Sequence, residues 1–158
     1  MTVLVAAEDA DFAWMLGEGP GRPGLVLPPG GVDDPVNLAQ VRAMCGKLRG
    51  AHDRGAWMIV CDGEVVGLCG YLRPPNAEGE VEIGYGVAAS RRNRGHATRA
   101  VTALLDAVAE DPAAQVVTAT TASANIASQR TLERNGFERI GIGFDPEDGE
   151  VVRWSLLA

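Results

Sequence analysis

The chain has few of the residues that build metal centres or disulfide frameworks. Its three cysteines, Cys45, Cys61 and Cys69, are odd in number and form no C-x-x-C. Its two histidines, His52 and His96, leave little imidazole for a metal. Neither a zinc site nor a disulfide scaffold is expected, and the thiols suit a reducing cytoplasm. Basic residues are also short: 14 Lys and Arg against 21 Asp and Glu give a net charge of -7. A nucleic-acid coat needs the opposite sign, because phosphate contacts come from Lys and Arg. No apolar run approaches the ~18 residues of a membrane span. No basic segment followed by an apolar one marks the N-terminus as a secretory signal.

What is present is ordinary for a globular protein: 158 residues, 46% hydrophobic and 22% charged. That length suits one domain, 1–158, able to bury about 68–70% of its unfolded surface. Gly17 to Pro35 holds six Gly and five Pro among 19 residues and reads as loop. It contains Gly19-Pro20-Gly21-Arg22-Pro23-Gly24, a literal G-x-G-x-x-G. A dinucleotide site needs a strand before that motif and a helix after it. Here a helix (Ala10 to Leu16) precedes and more Pro and Gly follow, so the match is chance.

Leu38, Val41, Met44, Cys45 and Leu48 recur at helical spacing and predict a helix over Asn37 to Arg49. Trp57 to Cys61 and Val65 to Leu72 read as strands joined by Asp62-Gly63, a two-residue hairpin turn. Val81 to Val87 is a further strand. Val81, Ile83, Tyr85 and Val87 share one face; Glu82, Gly84 and Gly86 share the other. A face with two glycines is bare, so a ligand or another backbone can lie against it. Gly95 to Glu110 carries the clearest helical periodicity, and Asp111-Pro112 ends it. Val116 to Thr121 is a β-branched strand, Asn125 to Asn135 a short helix with Gly136 behind it, and Phe137 to Phe144 and Glu150 to Leu157 two last strands. The order predicts an α/β or α+β domain: one mixed sheet of about six to seven strands with about four helices.

One constellation carries chemistry. Arg91, Arg92 and Arg94 stand beside Gly95 at the start of the clearest helix, with Arg99 one turn in. A helix N-terminus, open N–H groups and a small glycine make a pyrophosphate cradle. The cluster is basic in an acidic chain; the plain alternative is a solvated basic face. Arg92, Gly95 and Ala97 match the pattern Q/R-x-x-G-x-G/A, and Asn125, Ser128, Gly136 and Phe137 match Asn-x-x-Ser followed by a helix ending in Gly-Phe. On these two motifs, Tyr85 to Gly141 resembles the GCN5-related N-acetyltransferase (GNAT) superfamily. Ile83-Gly84-Tyr85 before the first motif resembles its ribosomal-protein alanine N-acetyltransferase branch. Two positions depart from the family: Arg99 stands where that branch often has Glu, and Leu132 where many members have a tyrosine acid.

The resemblance implies an acetyl-CoA-dependent N-acetyltransferase acting on a primary amine, with no metal. It implies that amides from Arg92 through Asn93, Arg94, Gly95, His96, Ala97 and Thr98 hold the CoA pyrophosphate. Tyr85, Gly86 and Val87 would pair with the pantetheine arm, and backbone N–H near Val87 would polarise the thioester carbonyl. Asn125 would contact the pantetheine or acetyl region, and can be a helix N-cap as well. The Gly17 to Pro35 loop falls where the family builds its acceptor site.

Amine acetylation needs a base, a polarised carbonyl and a leaving thiolate. Glu82 is the best-placed base and Glu80 the next. With Leu132 unable to act, Ser128 is the favoured acid and Tyr85 the second. Glu8, Asp9, Asp33 and Asp34 hint at a cationic acceptor. No nucleic-acid or membrane partner is expected, and a homodimer is left open. A CoA-binding sensor without activity, or an unrelated phosphate-ligand protein, are the competing readings. Amine-dependent CoA release separates the first from the enzyme, and nucleotide binding without CoA binding would favour the second.

Overall fold

The computed structural model describes residues 1–51 and 55–157; His52 lies outside the described residues. Seven strands form one sheet: β1 (Thr2–Ala6), β2 (Ala56–Cys61), β3 (Glu64–Tyr71), β4 (Glu80–Val87), β5 (Val116–Ala122), β6 (Glu138–Asp145) and β7 (Gly149–Leu157). Their order is β1-β2-β3-β4-β5-β7-β6. Every pairing is antiparallel except β4 with β5. Four helices join them: α1 (Asp9–Met15), α2 (Pro35–Ala51), α3 (His96–Ala109) and α4 (Ile126–Arg134). None of the described helices is long and apolar enough to cross a membrane.

Local chemistry sets the element ends. Asp62 and Gly63 both take positive φ (51° and 79°), as a two-residue turn between right-twisted strands requires. Asp34 Oδ1 accepts from the Asn37 amide (2.9 Å), with Pro35 as the first residue of α2. Asn125 accepts from the Ser128 amide at the start of α4, and Gly136 turns the chain out of that helix at φ 84°. α3 lays Ala100, Val101, Leu104 and Val108 against the sheet, each fully buried. They join Val81, Ile83, Val117, Leu132, Val152 and Trp154 in the main core. A second core lies under α1, with Phe12, Cys45, Met58, Val60 and Val65.

The expected fold holds, with one element added. The N-terminal residues form β1, an edge strand that pairs with β2 over five residues. The Gly17 to Pro35 segment is loop for nearly all its length, as expected. It is anchored by Arg22, whose guanidinium meets Asp11 and the Ala6 carbonyl. The Val26 amide donates to the Gly63 carbonyl in the turn before β3 and its carbonyl accepts from Val65 in β3, adding a one-residue bridge beside the sheet.

Candidate functional site

β4 leaves β5 after three rungs. Glu80, Val81 and Glu82 pair with Val116, Val117 and Thr118. Beyond them β4 stays on β3 through Val87, while β5 runs on against β7 to Ala122. From Ile83 to Val87, β4 has no partner on its β5 side among the described residues. Two clefts meet at this segment, and both are lined by Tyr85, Gly86, Val87 and Arg92. The larger, about 720 Å³, runs between the 91–98 loop and α4. The smaller, about 220 Å³, lies between α2 and the face of β3 and β4 that carries Leu68, Gly70, Gly84 and Gly86.

The loop has the backbone of an anion cradle. Asn93 (φ 64°) and Gly95 (φ 79°) are both left-handed, and α3 starts directly after Gly95 without a side-chain cap. The first-turn N–H groups of α3 therefore stay open toward the cleft. A Cβ at Gly95 would lie 2.6 Å from Arg99 Nη1, so a side chain there would displace the Arg99 guanidinium, and the left-handed φ favours glycine as well. Asn93, Gly95, His96, Ala97 and Thr98 all line the larger cleft.

The four arginines divide by role. Arg91 is bound to Glu64 through both guanidinium edges (2.5 and 3.1 Å), and this holds the Glu64 carboxyl below its ordinary value. Arg99 donates to the Arg94 carbonyl (2.8 Å) and to Thr2 Oγ1 (3.0 Å), tying the loop to β1 rather than adding a free charge. Arg92 donates to the Val87 carbonyl (3.3 Å). Arg92 and Arg94 form no ion pair among the described residues. His96 is buried, with Nδ1 3.3 Å from Arg99 Nη2. Burial first, then the Arg99 and Arg94 charges, hold its imidazole below the usual value.

Across the cleft, Ser128 and Asn125 line the wall. The Asn125 carbonyl oxygen accepts from the Ser128 amide (3.1 Å), so the cap and a cleft-facing position coexist. Tyr85 and Ser128, weighed as rival acids, are in contact: Tyr85 Oη is 2.7 Å from Ser128 Oγ. Burial pushes the Tyr85 phenol up, and the Ser128 bond opposes it. Leu132 is fully buried in the core.

The other face of β4 is less bare than the two glycines suggest. Leu72 covers Gly84, where a Cβ would lie 2.8 Å from Leu72 Cδ2; Gly86 is open. Glu82 is partly buried. Its two oxygens meet Arg73 (3.1 Å) and Thr120 Oγ1 (3.2 Å), and it lines neither cleft. Glu80 accepts from Asn76 Nδ2 (3.1 Å) and is exposed.

Of the four acids that hinted at a cationic acceptor, Asp9 is bound to Arg42 and Asp34 caps α2. Glu8 is the N-cap residue of α1, its amide donating to Asp11 (2.8 Å). Asp33 alone of the four lines the smaller cleft, beside Asn37. Cys45 and Cys69 line it as well; burial pushes Cys69 up to about 12, leaving it a neutral wall.

Sequence reasoning missed Arg130, Thr131 and Arg134, which line the larger cleft with Ala127. Their i, i+3, i+4, i+7 spacing on α4 was the available signal.

A family model described as an acetyltransferase (GNAT) domain matches residues 5–138. The uncharacterized N-acetyltransferase YjdG of Bacillus subtilis (strain 168) is 32% identical over 98 residues, which is 61% of this chain and 58% of that protein. The match thus spans little more than half the length of that relative. Among solved structures, Mycobacterium smegmatis RimJ in complex with CoA-disulfide superimposes with a TM-score of 0.74 at 23% identity, covering 99% of this chain and 82% of that one. Aminoglycoside acetyltransferase AAC(6')-Ib in complex with coenzyme A gives 0.72 at 20% identity, with 99% and 95% covered. These two similarities show a shared fold. The family match, over most of the chain and across both clefts, shows that this chain belongs to the GNAT acetyltransferase family.

Proposed function

We propose that this chain transfers the acetyl group of acetyl-CoA to a primary amine, on a small molecule or a protein N-terminus, by direct attack of the amine on the thioester. The observation that carries this reading is the junction at Tyr85 to Val87, where a long cleft with an anion cradle meets a smaller, largely apolar one. The first suits a phosphate-bearing thioester and the second an acceptor. Residues 1–158 act as one acyltransferase domain in the cytoplasm, with acetyl-CoA and an amine as partners. No nucleic acid, membrane or metal takes part, and the chain works alone or as a homodimer.

The chain's own groups divide the work. Amides from Arg92 to Thr98, with the Arg92 and Arg94 charges, hold the diphosphate. The free edge of β4 at Tyr85, Gly86 and Val87 takes the pantetheine arm by strand-like pairing, with Asn125 on the opposite wall. The Val87 backbone polarises the carbonyl. Glu82, on the face of β4 toward the smaller cleft, removes the ammonium proton through intervening water. The hydroxyl of Ser128, steadied by Tyr85, hydrogen-bonds the leaving sulfur.

Acetyl-CoA at ~100 times its dissociation constant should stabilise the fold by about 2.7 kcal/mol. For a chain of this size that is roughly 5–10 °C in Tm. CoA should then be released in proportion to an added amine. Binding without release for every amine would leave a CoA-holding module and overturn the enzyme reading.

A further inference from the structure

The sheet ends on one side at β6, whose outer edge pairs with nothing among the described residues. Three large apolar side chains stand on it: Ile140 is 60% exposed, Ile142 66% and Phe144 76%. The opposite edge strand, β1, exposes only Val3 among its large apolar side chains. From Ile140 to Phe144 the chain has no charge and no proline, the devices that usually blunt an edge. The bulge at Ile140 is another such device. It sits at the start of the run and leaves Gly141 to Asp145 in regular register with β7. Cross-strand partners share a face, so Ile142 extends the face of Val152, and Phe144 that of Glu150. No residue of β6 lines either cleft, so acetyl transfer gives no reason for the exposed row.

The strand is complementary to itself. Set antiparallel to its own copy with Ile142 opposite Ile142, it places Ile140 opposite Phe144, Gly141 opposite Gly143 and Arg139 opposite Asp145. Each end then carries an opposite-charge pair, and the middle sets apolar against apolar. Centring the pair on Gly141 instead sets Glu138 against Phe144. Centring it on Gly143 loses the Arg139 and Asp145 pair and sets Ile140 against Pro146, which has no N–H to donate. Exposed ion pairs contribute little each, so the apolar row holds the copies together and the charged ends select the register. We propose that the protein is a homodimer in which β6 pairs antiparallel with β6 of a second copy about Ile142, joining two seven-stranded sheets into one. A two-fold pairing uses each β6 edge once and closes, which removes that open edge from both copies.

Sedimentation equilibrium over a concentration series tests this, with the variants Ile142→Asp and Ile142→Cys. The unaltered protein should show a monomer–dimer equilibrium and no larger species. Ile142→Asp sets two carboxylates against each other on the axis and should weaken association by at least about tenfold. Ile142 is exposed, so the circular dichroism of this variant should stay that of the unaltered protein. Ile142→Cys brings two thiols within reach of a disulfide. Mild oxidation should link it into a dimer much faster than Val3→Cys, whose new thiol stands on β1. A monomer at every concentration would overturn the proposal, as would open-ended assembly. So would a dimer that Ile142→Asp leaves intact, or cross-linking of Ile142→Cys no faster than that of Val3→Cys.

Discussion

Tyr85 Oη lies 2.7 Å from Ser128 Oγ and 3.1 Å from the Ser128 carbonyl oxygen, joining β4 to α4 across the larger cleft. The phenol has one proton. If Tyr85 donates to the carbonyl, the Ser128 hydroxyl donates to Tyr85. If Tyr85 donates to Ser128 Oγ, the serine proton is free to point into the cleft. The second arrangement lets the serine serve a leaving sulfur while the tyrosine fixes it.

Ser128→Ala should therefore lower the maximal rate by roughly ten- to hundredfold, the low end for a positioned acid, since a thiolate leaves fairly well unaided. CoA affinity should change by less than about tenfold. Tyr85→Phe should cost less than Ser128→Ala. Steady-state kinetics with calorimetry on both variants checks this. A fully active Ser128→Ala beside a slow Tyr85→Phe would make the tyrosine the acid.

Gly95 bears two constraints at once: a left-handed φ of 79° and Arg99 within 2.6 Å of its absent Cβ. Gly95→Ala should cost about 1–2 kcal/mol for the backbone alone and push Arg99 off the Arg94 carbonyl. The loop would lose its shape along with some stability. Thermal melts with and without acetyl-CoA should show a lower starting Tm and a smaller ligand shift. An undiminished shift would mean that the loop does not hold the phosphates.

Glu82→Gln keeps the contacts to Arg73 and Thr120 possible while removing basicity. Turnover should fall by about 10²-fold or more if Glu82 is the base, with CoA binding nearly intact. A loss under about threefold, at a pH where the acceptor amine is still protonated, would pass the role to solvent. A matching loss of CoA affinity would make Glu82 structural.

The His96 imidazole is held below its ordinary value of about 6.5. Its neutral form is favoured in the fold, where Nδ1 faces a guanidinium. Between the folded and unfolded values the unfolded chain binds more protons, so this stability is complete above about pH 6.5 and declines as pH falls through the folded value. Glu64 has its folded value depressed too, and its contribution is lost lower, below about pH 4.5. Melts at pH 7.5 and 5.5 should show a drop in Tm that is smaller in His96→Gln. An identical drop in the variant would contradict this assignment.

What was legible in the sequence was local. Asp62-Gly63, the Arg92 to Ala97 motif and the Asn125 cap each act over a few residues, and each appears where their chemistry puts it. β1 was not legible: Val3, Leu4 and Val5 do not alternate with polar residues, and the strand's partner Ala56–Cys61 lies far along the chain. The role of Arg99 turned on Thr2, 97 residues away, and that of Arg91 on Glu64, 27 residues away. A bare strand face was readable from Gly84 and Gly86, but its cover by Leu72 depended on where the chain beyond β3 settles. Contacts of this kind follow from tertiary packing, which periodicity does not encode.

The most direct test of acetyl transfer is thiol release from acetyl-CoA, followed with a thiol-reactive dye across a panel of peptides, polyamines, aminoglycosides and amino acids. The account predicts saturable release with at least one amine, an acetylated amine of matching mass, and loss of both in Gly95→Glu, which places a carboxylate in the phosphate cradle. Release that no amine accelerates, in a protein whose Tm rises with acetyl-CoA, would contradict it.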